Sequence, residues 1–165
     1  MTGPVAMAAE QREGGAGERM TPGRSLEQQA FLDLLRTAES LTYELAEALR
    51  PYGLTHTQYN ALRILRGAGE QGATCSEVSE RMVTRVPDVT RLLDRLEAMG
   101  LIARARADAD RRIVRTRITA EGLAILARLD EPVLRLHGRQ LGHLGDDGLR
   151  ALIGALDRAR AHPAE

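Results

Sequence analysis

The sequence predicts a mainly α-helical protein carrying one small β-hairpin, and three observations predict it. Alanine, leucine and charged residues dominate the 165 residues while aromatics make up only 2%, so the helices must pack through aliphatic stripes. Two capping boxes, Thr55-His56-Thr57-Gln58 and Thr74-Cys75-Ser76-Glu77, stand close together ahead of apolar positions at helical spacing. Between residues 101 and 119 the pattern changes to period two on either side of Ala107-Asp108-Ala109-Asp110-Arg111, which reads as two strands and a turn. A chain of this length supports one domain with a real core and is short for two.

Residues 1–24 mix Gly, Ala, Glu, Arg and Pro without periodicity. Such a stretch buries too little apolar surface to offset its ordering entropy and is expected to be a disordered tail. Residues 25–161 are expected to form the single domain. Ser25 is a candidate N-cap, after which Phe31, Leu34, Leu35, Ala38, Leu41, Leu45, Ala48 and Leu49 recur at helical spacing until Pro51 and Gly53 stop the helix. Its apolar face is broad enough for more than one packing partner.

Residues 54–119 form the central unit. Thr55 caps a helix through Leu62, Ile64 and Leu65, closed by Gln58 and stapled by Leu54 and Tyr59. Thr74 and Glu77 open a second helix through Val78, Met82 and Val83. After a short turn, Pro87 suits the first turn of a third helix, where its missing N–H costs nothing. Val89, Leu92, Leu93, Leu96 and Met99 form the inner stripe of that helix, which leaves Asp88, Thr90, Arg91, Asp94, Arg95 and Ala98 outside, and Gly100 ends it. Leu101–Arg106 and Arg112–Thr119 are the hairpin strands. Two short helices followed by an arginine-bearing hairpin are the grammar of a winged helix-turn-helix, whose third helix here is the candidate recognition helix.

Residues 120–161 return to helix. Thr119 caps a segment with Leu123, Leu126, Leu129, Val133 and Leu136, which Pro132 should kink or interrupt. A last helix capped near Asp146 carries Leu149, Leu152, Ile153 and Leu156. Leucine-rich surface thus lies at both ends of the chain, outside the central unit.

Charge follows the same division. The formal net charge is zero, yet residues 81–117 hold ten arginines against five acids, whereas residues 1–80 hold seven against eleven. All 23 basic residues are arginine, and guanidinium groups can grip phosphate or guanine with two hydrogen bonds and enter a narrow minor groove. Positive charge therefore sits where the helix-turn-helix pattern sits.

At this point the central segment strongly resembles the MarR family of bacterial transcription regulators. The stretch TRLLDRLEAMGLIAR is similar to the family's helix-to-wing passage, and DRR at 110–112 and ITAEG at 118–122 match its D-x-R and L-T-x-x-G patterns at the right spacing. The helix order over roughly residues 25–160 also agrees. The resemblance implies a homodimer whose helices 25–50 and 120–161 dimerise, presenting two recognition helices to successive major grooves of a pseudo-palindromic operator. It implies that Arg112 is the wing-tip arginine of the minor groove, that Asp110 holds the wing, and that Thr90 and Arg91 face DNA. Arg111, Arg85 and Arg95 are supporting candidates. It further implies a repressor released by a small, often aromatic or phenolic effector; Tyr43, His56 and Tyr59, on the first two helices, are candidates for lining its pocket. No cofactor is expected.

One position departs from the family pattern. Asp88 falls where the family more often has a small or neutral polar residue; its carboxylate could accept from cytosine N4 or serve the helix N-terminus. Arg104, Arg106, Arg115 and Arg117 admit two readings as well, phosphate contact or a solvated strand surface.

Other chemistries find less support. Cys75, at a helix start, invites a redox-sensor reading, but a lone cysteine is more often a small packed residue, and it offers no disulfide framework. His56, His137, His143 and His162 lack ligand spacing for a metal site. Gly67, Gly69 and Gly72 do not fit a dinucleotide fingerprint, and no nucleophile elbow or phosphate loop occurs, so an enzyme is not expected. No apolar run spans a membrane and no signal peptide is visible, which points to the cytoplasm. The rival readings are a winged-helix protein-interaction module without specific DNA binding, and a cysteine- or metal-responsive sensor of the same fold.

Overall fold

The computed structural model describes residues 25–106 and 113–161. The chain divides into two units, residues 1–36 and 37–165. Helix α1 (Leu26–Leu49) begins in the first. There Ser25 and Gln28 close a reciprocal cap, with Ser25 Oγ accepting from the Gln28 N–H at 3.3 Å and Gln28 Oε1 accepting from the Ser25 N–H at 3.2 Å. Leu26, Phe31, Leu34 and Leu35 of this unit are exposed.

In the second unit α1 ends in a 3-10 turn over Arg50–Tyr52, and Gly53 takes the left-handed conformation that proline and glycine at 51 and 53 lead one to expect. Helices α2 (His56–Ala68) and α3 (Cys75–Arg81) start with the capping boxes anticipated at Thr55/Gln58 and Thr74/Glu77. Helix α4 (Val89–Ala98) leads into an antiparallel pair, β1 (Ile102–Arg106) and β2 (Val114–Ile118), in register from Ile102 opposite Ile118 to Arg106 opposite Val114. Helix α5 (Ala120–Leu141) and α6 (Gly145–Ala161) follow.

The core of this unit joins Leu62 and Leu65 of α2, Val78 of α3, Leu93 and Leu96 of α4, Ile102 of β1, and Leu126 and Leu129 of α5. Leu45 and Leu49 of α1 belong to it as well. Outside the wing proper, Ala73 pairs with Thr116: the Ala73 N–H donates to the Thr116 carbonyl at 2.9 Å and the Thr116 N–H donates back at 2.8 Å. The residue just before the Thr74 cap thus acts as a third, one-residue strand, a pairing too short to leave any periodicity in the sequence.

Four local expectations change. Helix α3 ends at Arg81 rather than running through Met82 and Val83: Met82 is its extended C-cap residue and Val83 is exposed in the turn beyond. Pro87 precedes the cap of α4 rather than sitting in its first turn, because Asp88 caps the helix and moves its start to Val89. Met99 does not complete the inner stripe; it is the C-cap residue and is exposed. Pro132 lies inside α5 without interrupting it. On α6, Leu149, Leu152 and Leu156 are half-buried and Ile153 is exposed, so this helix keeps an apolar face that a single chain does not cover.

Candidate nucleic-acid interface

Each side of α4 is fixed by a different device. At its N-terminus the Arg91 N–H donates to Asp88 Oδ1 at 2.8 Å, so the carboxylate satisfies a backbone donor that has no partner within the helix. At its C-terminus Gly100 has φ 73°. Its N–H donates to the Glu97 carbonyl at 2.8 Å, and the Leu101 N–H to that of Leu96 at 3.0 Å, the paired bonds that end a helix at a left-handed glycine. Leu96 and Leu101 are both buried beside this turn, which sends the chain back along the helix as β1.

The remaining supports come from α2 and α3. The turn between α3 and α4 is held to α2 by the Val83 N–H, which donates to Asn60 Oδ1 at 3.0 Å. The Thr74 N–H donates to Glu77 Oε2 at 2.7 Å, and this bond, with the nearby Arg115 guanidinium adding to it, holds the Glu77 carboxyl below the usual range. Arg115 Nη1 lies 3.6 Å from Glu77 and donates to the Gly72 carbonyl at 3.3 Å, binding β2 to the start of α3.

Arg85, Thr90, Arg91 and Arg95 are all exposed. The acids that would ordinarily neutralise the arginines are engaged elsewhere: Asp88 with backbone, and Asp94 with Arg104 Nη1 at 2.6 Å. Among the described residues Arg85, Arg91 and Arg95 form no ion pair. Arg106 and Arg117 are likewise exposed on the wing strands. Asp110, Arg111 and Arg112 lie outside the described residues, as does His162.

Arg104 and Arg115 are two of the four strand arginines whose part the sequence left open. Both lie in the basic segment, but their cations face protein carboxylates rather than solvent alone. Asp94 and Glu97, one turn apart on α4, were the available signal. Their partner is settled only by the course β1 takes after Gly100.

The residues proposed for an effector pocket are less alike in environment. Tyr59 is buried in the core with the Arg63 guanidinium 5.8 Å from its ring centre, Tyr43 is exposed, and His56 is half-buried, with burial lowering its pKa. None of them lines either of two clefts at the winged helix. One, of about 530 Å³, lies between Arg66, Glu70, Arg117 and Leu123; the other, of about 220 Å³, lies between Cys75, Thr90, Arg104 and Thr116. The Cys75 Sγ is 3.6 Å from Thr90 Oγ1. Among the described residues no group of three or more His, Cys, Asp or Glu side chains is placed to hold a metal ion, and no helix is long and apolar enough to cross a membrane.

The model of the MarR family matches residues 52–113, from the start of the helix-turn-helix into the wing. A crystal structure of a MarR transcription factor from Planctomyces limnophilus is 40% identical, with 81% of this chain and 97% of that chain covered and a TM-score of 0.63. The chain belongs to the MarR family. MarR-family members are transcription regulators, not enzymes. Among the curated relatives, the HTH-type transcriptional repressor MdtR of Bacillus subtilis is 34% identical over 91 residues, covering 55% of this chain and 57% of the relative. The match therefore spans little more than half the length of the curated relatives. The structure of Bordetella bronchiseptica BpsR, described as a mechanism for regulation of its DNA binding by 6-hydroxynicotinic acid, is 21% identical with a TM-score of 0.75, covering 85% of this chain and 99% of that one. At that identity the likeness concerns the fold.

Proposed function

We propose that this MarR-family chain is a sequence-specific DNA-binding regulator of transcription that acts as a homodimeric repressor. The observation that carries the reading is the state of α4. Arg91 and Arg95 point outward while Asp88 and Asp94 are occupied by backbone and by Arg104, so the exposed face of the helix presents cations. Phosphate contacts from such arginines supply affinity that falls with salt, and base contacts in the major groove supply specificity. Arg85 is exposed on the preceding turn; the family resemblance adds Arg111 and Arg112 as candidates for DNA contact and Asp110 as the candidate for holding the wing.

Two further parts belong to this reading. Exposed Leu134 on α5 and Ile153 on α6, with Phe31, Leu34 and Leu35 of the first unit, are apolar side chains that a second copy would cover, in keeping with a dimer on a pseudo-palindromic site. Release by a small aromatic or phenolic effector is supported by BpsR, whose DNA binding 6-hydroxynicotinic acid regulates. Tyr43, His56 and Tyr59 are the residues to vary in seeking that effector's site.

The test is capture of sheared DNA from the source organism by the purified full chain, sequencing of the bound pool, and anisotropy titration of the enriched site at two salt concentrations. A pseudo-palindrome bound more weakly at high salt, weakened further by Arg91→Ala and lost with Arg112→Ala, is the expected result. No enrichment, or binding indifferent to sequence and to both substitutions, would overturn the reading in favour of a protein-interaction module.

A further inference from the structure

Arg104 lies on β1, in the most basic part of the chain, yet its side chain is only 23% exposed while its partners Asp94 and Glu97 are 54% and 43% exposed. Its Nη1 is 2.6 Å from Asp94 Oδ1 and 3.7 Å from Glu97 Oε2. Its Nη2 donates to the Thr90 carbonyl at 3.3 Å, and its backbone N–H donates to Glu97 Oε1 at 3.2 Å. One residue of the wing is thus tied to three positions, 90, 94 and 97, along one flank of α4.

We propose that Arg104 is a positioning residue that sets the angle between the wing and the recognition helix and makes no contact with DNA; the proposal rests on the DNA-binding reading above. Its charge is already matched by two carboxylates, so little of it remains for a phosphate. A planar guanidinium can reach a carboxylate and a carbonyl together, each through its own N–H, whereas an ammonium is a single point charge on a flexible stem. On the DNA-binding reading the geometry matters because α4 and the wing would make separate sets of contacts, and a change in their angle displaces one contact set whenever the other is seated.

The test compares wild type, Arg104→Met, Arg104→Lys, Asp94→Asn and the Arg104→Met/Asp94→Asn double variant on the enriched DNA site across a salt series. Arg104→Met is expected to bind roughly tenfold more weakly, Arg104→Lys to lose less, and the double variant to bind no more weakly than Arg104→Met. The slope of log affinity against log salt should equal that of wild type. A slope smaller by about one would mean a phosphate contact, and additive losses would mean that Arg104 acts independently of Asp94; either result overturns the proposal. Amide hydrogen exchange of the free protein gives a second reading. Arg104→Met should speed exchange in β1 and β2 while leaving α2 and α5 as in wild type, and unchanged wing exchange overturns the proposal. If wild type binds no DNA, the regulator reading fails by itself, and the exchange result still decides whether Arg104 holds the wing.

Discussion

Arg66 of α2 and Asp130 of α5 form a forked pair, with Nη1 donating to Oδ2 at 2.8 Å and Nη2 donating to Oδ1 at 2.9 Å. This pair ties the helix-turn-helix to the first long helix beyond the wing. The guanidinium holds the Asp130 carboxyl below its usual range, and the carboxylate raises the pKa of Arg66 in turn. Their side chains are 35% and 50% exposed, so solvent screens the pair and its contribution is about 1 kcal/mol or less. A carboxyl with a depressed folded-state pKa stabilises above its unfolded value, and the gain is lost as pH falls through the folded one. Asp130→Asn should therefore melt below wild type at neutral pH, and the gap should close in titrations taken below about pH 4. A gap that persists in acid would show that the amide disturbs packing.

Asp88 separates two roles when it is varied. As the cap seen here it should lose about 1 kcal/mol on substitution by alanine and almost nothing on substitution by asparagine, which also caps well. On the proposed DNA-binding reading, Asp88→Asn removes a negative charge beside the DNA and should bind the same site more tightly. A changed base preference at one position in the enriched pool would instead identify Asp88 as a reader of sequence.

Gly122 explains the glycine of the ITAEG stretch. A Cβ there would collide with the Leu101 carbonyl and the Ile118 side chain, because the start of α5 packs directly on the turn that ends α4. Gly122→Ala should cost about 1–3 kcal/mol in urea unfolding. At Gly72, φ is 62° and a Cβ would lie 2.5 Å from the Thr116 carbonyl oxygen, so Gly72→Ala should also destabilise, and a neutral result at either site would show that the backbone yields.

Arg91→Ala and Arg95→Ala should each weaken DNA binding and, where the lost contact is to phosphate, lower the salt slope by about one. Arg135, paired with Glu131 at 2.8 Å on the surface of α5, is the matched control. Arg135→Ala should leave both quantities unchanged.

The fold was legible because its signals are local. Thr55 with Gln58 and Thr74 with Glu77 make their bonds within one turn of backbone, and Gly100 ends α4 through bonds to the preceding turn. The exposed face of α4 followed from helical periodicity alone, and with it the outward placement of Thr90, Arg91 and Arg95. Pro87 was misplaced because proline is compatible both with the first turn of a helix and with the residue before its cap. Met99 continues the stripe in period but lies at the helix end, where the chain turns away.

By itself, then, the sequence determined the helices, the hairpin, the outward face of α4 and the concentration of arginine around it, since each depends on residues a few places apart. Only the tertiary structure decided which of those arginines are committed to the protein. An ion pair needs two groups within about 4 Å, and distance in space between Arg104 and Asp94, or Arg115 and Glu77, depends on how β1 and β2 run past α4 and α3. The pairing of Ala73 with Thr116 belongs to the same class, a contact made between elements that no local pattern announces.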